Sequence, residues 1–145
     1  MKFVSFLLKG QPKFGISNGN NITDLTGKIK GAQTLKELIS NKSLQEAKDF
    51  SKKNPGKINY NEIEYLPVIP NPGKIVCVGL NYSEHVKETG RTVEQNPVIF
   101  LRVPESQTAH KQPIQRPKVS ESLDYECEMA VIMGNAGKHI KPEDA

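Results

Sequence analysis

The chain has 145 residues, of which 36% are hydrophobic and 25% charged, with a formal net charge of +4 at pH 7. The length allows one domain, or one small and one partial domain, and the composition excludes a wholly disordered chain. The 20 basic residues are interspersed with 16 acidic ones, which favours a mixed solvated surface over a face that binds a polyanion.

Short strands and turns are predicted for residues 1–26, where glycines and asparagines interrupt the apolar runs. Two helices are predicted next. Thr34 with Glu37, and Ser43 with Glu46, have the spacing of capping boxes, and each pair opens a run with apolar residues at helical spacing. The first third of the chain is therefore predicted to be a small α+β unit that contains no catalytic constellation.

A second unit is predicted to begin after the proline-rich stretch 66–74. The run KIVCVGLNY indicates a strand, and SEHVKETG after it a short helix, capped by Asn81 or Ser83 and closed by Gly90. The run NPVIFLR is predicted to be another strand, followed by a long loop. A further helix is predicted near Pro142, about one turn before the end, so we expect the chain to be a fragment of a longer protein.

The stretch LDYECEMAVIMG, residues 123–134, is predicted to be a β-strand because it is apolar, contains β-branched residues and ends at a glycine. Side chains two apart on a strand share a face, so Glu126 and Glu128 are expected side by side. Buried together they would repel each other, and a divalent cation such as Mg²⁺ or Mn²⁺ removes both the burial cost and the repulsion. The spacing alone favours an edge strand with one solvated face.

Other side chains in the second unit are candidates for proton transfer and substrate binding. His85 and Glu88 are three apart on the predicted helix, which is the outline of a general base, although a surface histidine beside a surface acid fits the same spacing. Arg102 ends an apolar strand, where its guanidinium either grips a carboxylate or faces solvent. His110 and His139 lie in turn-like segments, and no role is assigned to them.

The two cysteines, Cys77 and Cys127, each lie within an apolar run and have no metal-ligand spacing, so buried free thiols are predicted. A disulfide between them is left open. The first apolar run is about six residues long, which is short for a signal-peptide core, and no run is long enough to span a membrane. These features predict a cytoplasmic protein.

Taken in order, four runs resemble the fumarylacetoacetate hydrolase family over nearly all of residues 72–145. They are KIVCVGLNYSEHVKETG, NPVIFLRVPESQ, KQPIQRP and SLDYECEMAVIMGNAGKHIKPEDA. The resemblance is to the bacterial fumarylacetoacetate hydrolase-like and 2-hydroxyhepta-2,4-diene-1,7-dioate isomerase-like members. Its specific part is N-Y-x-x-H-x-x-E combined with a later D-Y-E-x-E. Residues 1–65 resemble the variable N-terminal domain of the longer members.

The resemblance implies an α+β fold. A small N-terminal α+β domain, residues 1–66, is followed by the first part of a mixed β-roll catalytic domain, residues 67–145. The resemblance also implies that Glu126 and Glu128 hold Mg²⁺ or Mn²⁺, and that a third ligand, an aspartate, lies further along than this chain extends.

For function, the resemblance implies a metal-dependent hydrolase, isomerase or decarboxylase acting on small diketo or 2-oxo acids. His85 and Glu88 are the implied catalytic residues, on a lid, and Arg102 and Ser106 are the expected substrate-binding residues. The complete protein is expected to be a homodimer with no nucleic-acid or membrane partner. The alternative is an inactive truncated remnant or interaction module of the same family.

Overall fold

The computed structural model describes residues 2–90 and 96–145. The chain forms two units, one made of Met1–Val68 with Thr108–Ala145 and the other of Ile69–Gln107. Helices and antiparallel strands both occur, which confirms the predicted α+β class. The β-roll, and the division into domains at residues 66 and 67, stay predictions.

An antiparallel sheet of five strands lies within residues 2–65. Its first three strands confirm the short strands predicted for residues 1–26, and its last two were not predicted. The strands, in the spatial order β4-β3-β2-β1-β5, are β1 Lys2–Leu8, β2 Gln11–Ser17, β3 Asn21–Asp24, β4 Ile58–Asn59 and β5 Ile63–Tyr65. The β1–β2 hairpin closes on Lys9 and Gly10, both at positive φ, 51° and 75°. Two such residues match the right-handed twist of the flanking strands, so Leu8 pairs with Gln11.

Two helices, α1 Leu35–Ser40 and α2 Leu44–Lys53, accompany this sheet, with α1 contacting β1 and α2 contacting β2. The core of the sheet and the two helices contains fully buried apolar side chains, namely Phe6, Phe14, Ile16, Ile22, Leu25 and Leu38. Burying a large apolar side chain contributes about 1.5–3 kcal/mol, so this cluster is the main source of stability in the unit.

The caps of the two helices differ from each other. Thr34 and Glu37 form the predicted capping box, with Glu37 N donating to Thr34 Oγ1 at 3.2 Å and Thr34 N donating to Glu37 Oε2 at 3.0 Å. The box predicted for Ser43 and Glu46 is wrong, although α2 begins where expected. Ser43 has φ −92° and ψ 18°, not the extended backbone that a capping side chain requires, and its hydroxyl donates to Asn41 O at 3.5 Å.

The second unit has the predicted strand, helix and strand. They are β6 Ile75–Gly79, α3 Ser83–Glu88 and β7 Val98–Arg102, and β6 pairs with β7 in antiparallel register. A short 3₁₀ helix, Pro104–Ser106, follows.

The ends of α3 match the sequence prediction only in part. The predicted N-cap is wrong, because the helix begins after Tyr82 and has no side-chain cap bond. Its predicted end is confirmed, since Gly90 has φ 66° and its N–H donates to Lys87 O at 3.1 Å. None of the helices in the described parts of the chain is long and apolar enough to cross a membrane.

The strand predicted for residues 123–134 is wrong in this structure. That stretch carries no strand assignment, and within the two described ranges no strand pairs with it. Its apolar side chains are exposed, Tyr125 by 87% and Met129 by 83%. Cys127 is a free thiol, as predicted, but the predicted burial is wrong because it is exposed. The alternating pattern is present, but a strand exists only where a neighbour supplies partners for its N–H and C=O groups. The predicted helix at the end is a single 3₁₀ turn, Pro142–Asp144.

Candidate functional site

The turn between β6 and α3 leads into the predicted catalytic helix. Leu80, directly after Gly79, has φ 53°, a left-handed backbone that costs a non-glycine residue about 1–2 kcal/mol. Tyr82 then returns to an extended conformation, φ −102° and ψ 127°, from which the helix starts. This turn sets where α3 begins, and Lys9 adopts a similar left-handed backbone in the β1–β2 hairpin.

His85 and Glu88 both lie on α3, as predicted, and residues three apart on a helix share a face. Val86 lies between them and is 96% buried, which anchors the helix. His85 is half-buried and Glu88 is exposed. The imidazole of His85 is therefore partly shielded from water, whereas the carboxylate of Glu88 reaches solvent. The catalytic roles of both residues stay predictions.

Arg102 is the last residue of β7, where it pairs with Ile75 and is exposed. Ser106 ends the 3₁₀ helix, and its hydroxyl donates to Val103 O at 2.7 Å. A substrate carboxylate only accepts hydrogen bonds, so binding one at Ser106 requires the hydroxyl to exchange this partner. Arg102 carries five donors and needs no such exchange, which makes it the stronger candidate of the two for carboxylate binding.

Glu126 and Glu128 lie in the irregular stretch after residue 122, and both are exposed. Carboxylate oxygens are the donors that Mg²⁺ and Mn²⁺ prefer, so the chemistry of this pair fits such a cation. Two carboxylates alone do not make a complete metal site. Residues 2–90 and 96–145 contain no group of three His, Cys, Asp or Glu side chains suited to a metal ion. Their assignment as ligands stays a prediction.

The six predicted site residues fall into the two units. His85, Glu88, Arg102 and Ser106 belong to Ile69–Gln107, and the two glutamates belong to the unit that contains Thr108–Ala145. The structure therefore gathers the predicted proton-transfer and substrate-binding groups on one strand–helix–strand unit.

Known proteins are similar to this chain in sequence. Residues 74–145 match the sequence model described as the fumarylacetoacetate (FAA) hydrolase C-terminal domain. The whole chain aligns at 34% identity with 48% of the oxaloacetate tautomerase fahd2, mitochondrial, of Xenopus laevis. A stretch that is 59% of this chain aligns at 39% identity with 27% of the human oxaloacetate tautomerase FAHD2A, mitochondrial. The chain thus spans less than half the length of these curated relatives.

A solved structure shares the fold. A crystal structure described as an HpcE protein from Mycobacterium smegmatis aligns with 81% of this chain and 41% of its own, at a TM-score of 0.60 and 19% identity. This similarity supports the mixed arrangement of strands and helices described above.

Proposed function

Because the chain belongs to the fumarylacetoacetate hydrolase family, a family of enzymes, we propose that it is part of a metal-dependent enzyme for keto–enol chemistry on small 2-oxo acids. The observation that carries the proposal is the occurrence of His85 and Glu88 on one short helix, with the Glu126–Glu128 pair downstream, all within the residues that match the family. Both relatives reported above are named oxaloacetate tautomerases, so oxaloacetate, a dicarboxylic 2-oxo acid, is the first substrate to test.

Glu126 and Glu128 would hold the cation through their carboxylate oxygens. When bound, Mg²⁺ or Mn²⁺ polarises the carbonyl and stabilises the negative charge that develops on its oxygen. Two anionic ligands leave most of an octahedral shell to water, so we propose that a further carboxylate is needed for tight binding.

The proton chemistry falls to α3. In keto–enol interconversion, His85 takes a proton from the carbon next to the 2-oxo group, and a proton then adds to the carbonyl oxygen to give the enol. Glu88, a carboxylate three residues along the same helix, orients the imidazole. The half-buried position of His85 supports this division of roles, because a general base works best where water does not compete for it.

Arg102 is proposed to bind a substrate carboxylate, with Ser106 contributing one hydrogen bond after exchanging its present partner. A guanidinium matches a carboxylate in a two-point contact, which fixes the orientation of the acid relative to the base. Hydrolysis or decarboxylation of diketo acids uses the same groups, and acylpyruvates test that variant of the proposal.

A second candidate function is an inactive module that pairs with another protein of the family. The observation that favours it is the incomplete ligand set within the described residues. The predicted homodimer and cytoplasmic location stay predictions, and light scattering coupled to gel filtration tests the first of these.

The deciding experiment compares the 145-residue chain with a chimaera in which Ala145 is fused to the part of the Xenopus laevis relative that follows the matched region. Mn²⁺ binding is measured by calorimetry, and oxaloacetate tautomerisation by the ultraviolet absorbance of the enol. We expect weak binding and background rates from the chain alone, and tight binding with catalysis from the chimaera. A folded chimaera that binds Mn²⁺ without accelerating tautomerisation or acylpyruvate cleavage would refute the reaction class. Full activity of the chain alone would refute the need for a further ligand.

A further inference from the structure

The strand β5 forms one edge of the five-stranded sheet. It pairs with β1 through Tyr65–Phe6, Glu64–Leu7 and Ile63–Leu8, and in the described residues no strand pairs with its other side. Such an edge presents unpaired N–H and C=O groups, which proteins usually cover or interrupt because they template aggregation.

A tight turn far along the chain reaches this strand. Gln112 N donates to Ala109 O at 3.0 Å, and Lys111 has φ 65°, so residues 109–112 reverse the chain direction. A left-handed lysine costs free energy, which implies that contacts made by the turn compensate for it.

The turn contacts two consecutive residues of β5. The rings of His110 and Tyr65 meet edge to face, with centroids 4.8 Å apart and planes at 89°. Gln112 Nε2 donates to Glu64 Oε1 at 3.2 Å. Neighbouring side chains on a strand leave opposite faces, so these two contacts reach β5 from both faces of the sheet.

The part of the chain that follows this turn is exposed almost throughout. Of residues 113–145, all but Ser120 are exposed. The contacts made by the turn at residues 109–112 are thus a defined connection between this part of the chain and the N-terminal sheet.

We propose that residues 109–112 form a clasp on the edge of β5, and that the His110–Tyr65 contact is its main fastening. The clasp covers the strand edge and ties the segment from Thr108 onward to the N-terminal sheet. This role is independent of the metal and substrate assignments made above. It also gives His110 a function that no local pattern predicts, because its partner lies in a distant part of the sequence.

Limited trypsin digestion tests the clasp. The Lys111–Gln112 bond lies within it and the Lys118–Val119 bond beyond it, while Arg116 precedes a proline and is not cut. His110→Ala should raise the cleavage rate at Lys111 about two- to tenfold relative to Lys118, the range expected from losing one aromatic pair. Tyr65→Ala should have a similar effect, and the double variant no more than either alone, because both changes remove the same contact.

The matched control is His139→Ala. His139 is also exposed and lies at a positive-φ position, 56°, without an aromatic contact to β5. His139→Ala should leave the ratio of the cleavage rates at Lys111 and Lys118 at the wild-type value. Hydrogen exchange of the Phe14 and Ile16 amides confirms that the sheet stays folded in each variant. An unchanged ratio in folded His110→Ala, or equal acceleration at both bonds, would overturn the proposal.

Discussion

Lys13 and Asp24 form an ion pair between neighbouring strands, with Lys13 Nζ 2.6 Å from Asp24 Oδ2 and each side chain about a quarter exposed. Thr26 N also donates to Asp24 Oδ1 at 2.9 Å. Burial raises the pKa of the Asp24 carboxyl, but the hydrogen bonds from Lys13 and Thr26 outweigh it, so the pKa lies below its ordinary value. Substitution of Lys13 therefore measures how much this ion pair contributes to the free energy of unfolding.

Lys13→Met should lower the free energy of unfolding at neutral pH by about 0.5–1 kcal/mol, the range of a partly exposed pair. Because the folded pKa of Asp24 is below its unfolded pKa, the carboxylate contributes fully above the unfolded value. That contribution is lost as the pH falls through the folded value. The difference between wild type and variant should therefore shrink below about pH 4. Urea unfolding of both proteins at a series of pH values measures this difference in unfolding free energy.

Lys52→Met is the control for this prediction, since Lys52 and Asp49 form a pair on α2 at 3.2 Å whose side chains are 65% and 50% exposed. Its unfolding midpoint should stay close to that of the wild type. If the effect of Lys13→Met were the same at pH 7 and at pH 3, the ion pair with Asp24 would not be its cause.

Gly56 and Gly73 lie in the identical tetrapeptide NPGK, at residues 54–57 and 71–74. A Cβ at Gly56 would overlap the backbone of Ile22 and Thr23, with Ile22 O at 2.6 Å, whereas a Cβ at Gly73 meets nothing within 4 Å. Gly56→Ala should destabilise the protein by about 1–3 kcal/mol, and Gly73→Ala by less than about 0.5 kcal/mol. Equal unfolding midpoints for the two variants would contradict the close approach of Gly56 to β3.

Glu126→Gln or Glu128→Gln, made in the chimaera, should weaken Mn²⁺ binding by more than about 100-fold. A lost metal ligand costs more than the roughly 10- to 100-fold that follows loss of an outer hydrogen-bond partner. Glu121, an exposed glutamate five residues before Glu126, provides the matched control, and Glu121→Gln should leave the dissociation constant unchanged. Calorimetric titration measures the Mn²⁺ affinity of each variant. Wild-type affinity in both glutamine variants would refute the assignment of Glu126 and Glu128 as metal ligands.

His85→Ala in the chimaera should lower kcat by about 10²- to 10⁴-fold with little change in Mn²⁺ affinity, because a general base acts in the chemical step. Glu88→Gln should have a smaller effect, and adding it to His85→Ala should cost little more, since Glu88 acts through the imidazole. His139→Ala is the control. Parallel losses of metal affinity and turnover in His85→Ala would show that His85 has a structural or ligand role instead.

The sequence by itself determined those elements whose signals are local. The capping box at Thr34, the two strand segments on either side of α3 and the glycine that ends α3 each depend on residues within a few positions of one another, and the structure has all three. The family motif is likewise readable in the sequence, because it consists of residue types at short spacings.

Only the tertiary structure decided features that depend on distant parts of the chain. The two NPGK runs are identical, yet one glycine touches a neighbouring strand and the other is open. Residues 123–134 have the alternation of a strand but no partner within the described residues, and His110 meets Tyr65 across a long separation in sequence. Hydrogen-bond pairing and close packing are properties of two segments together, so neither segment's sequence alone specifies them.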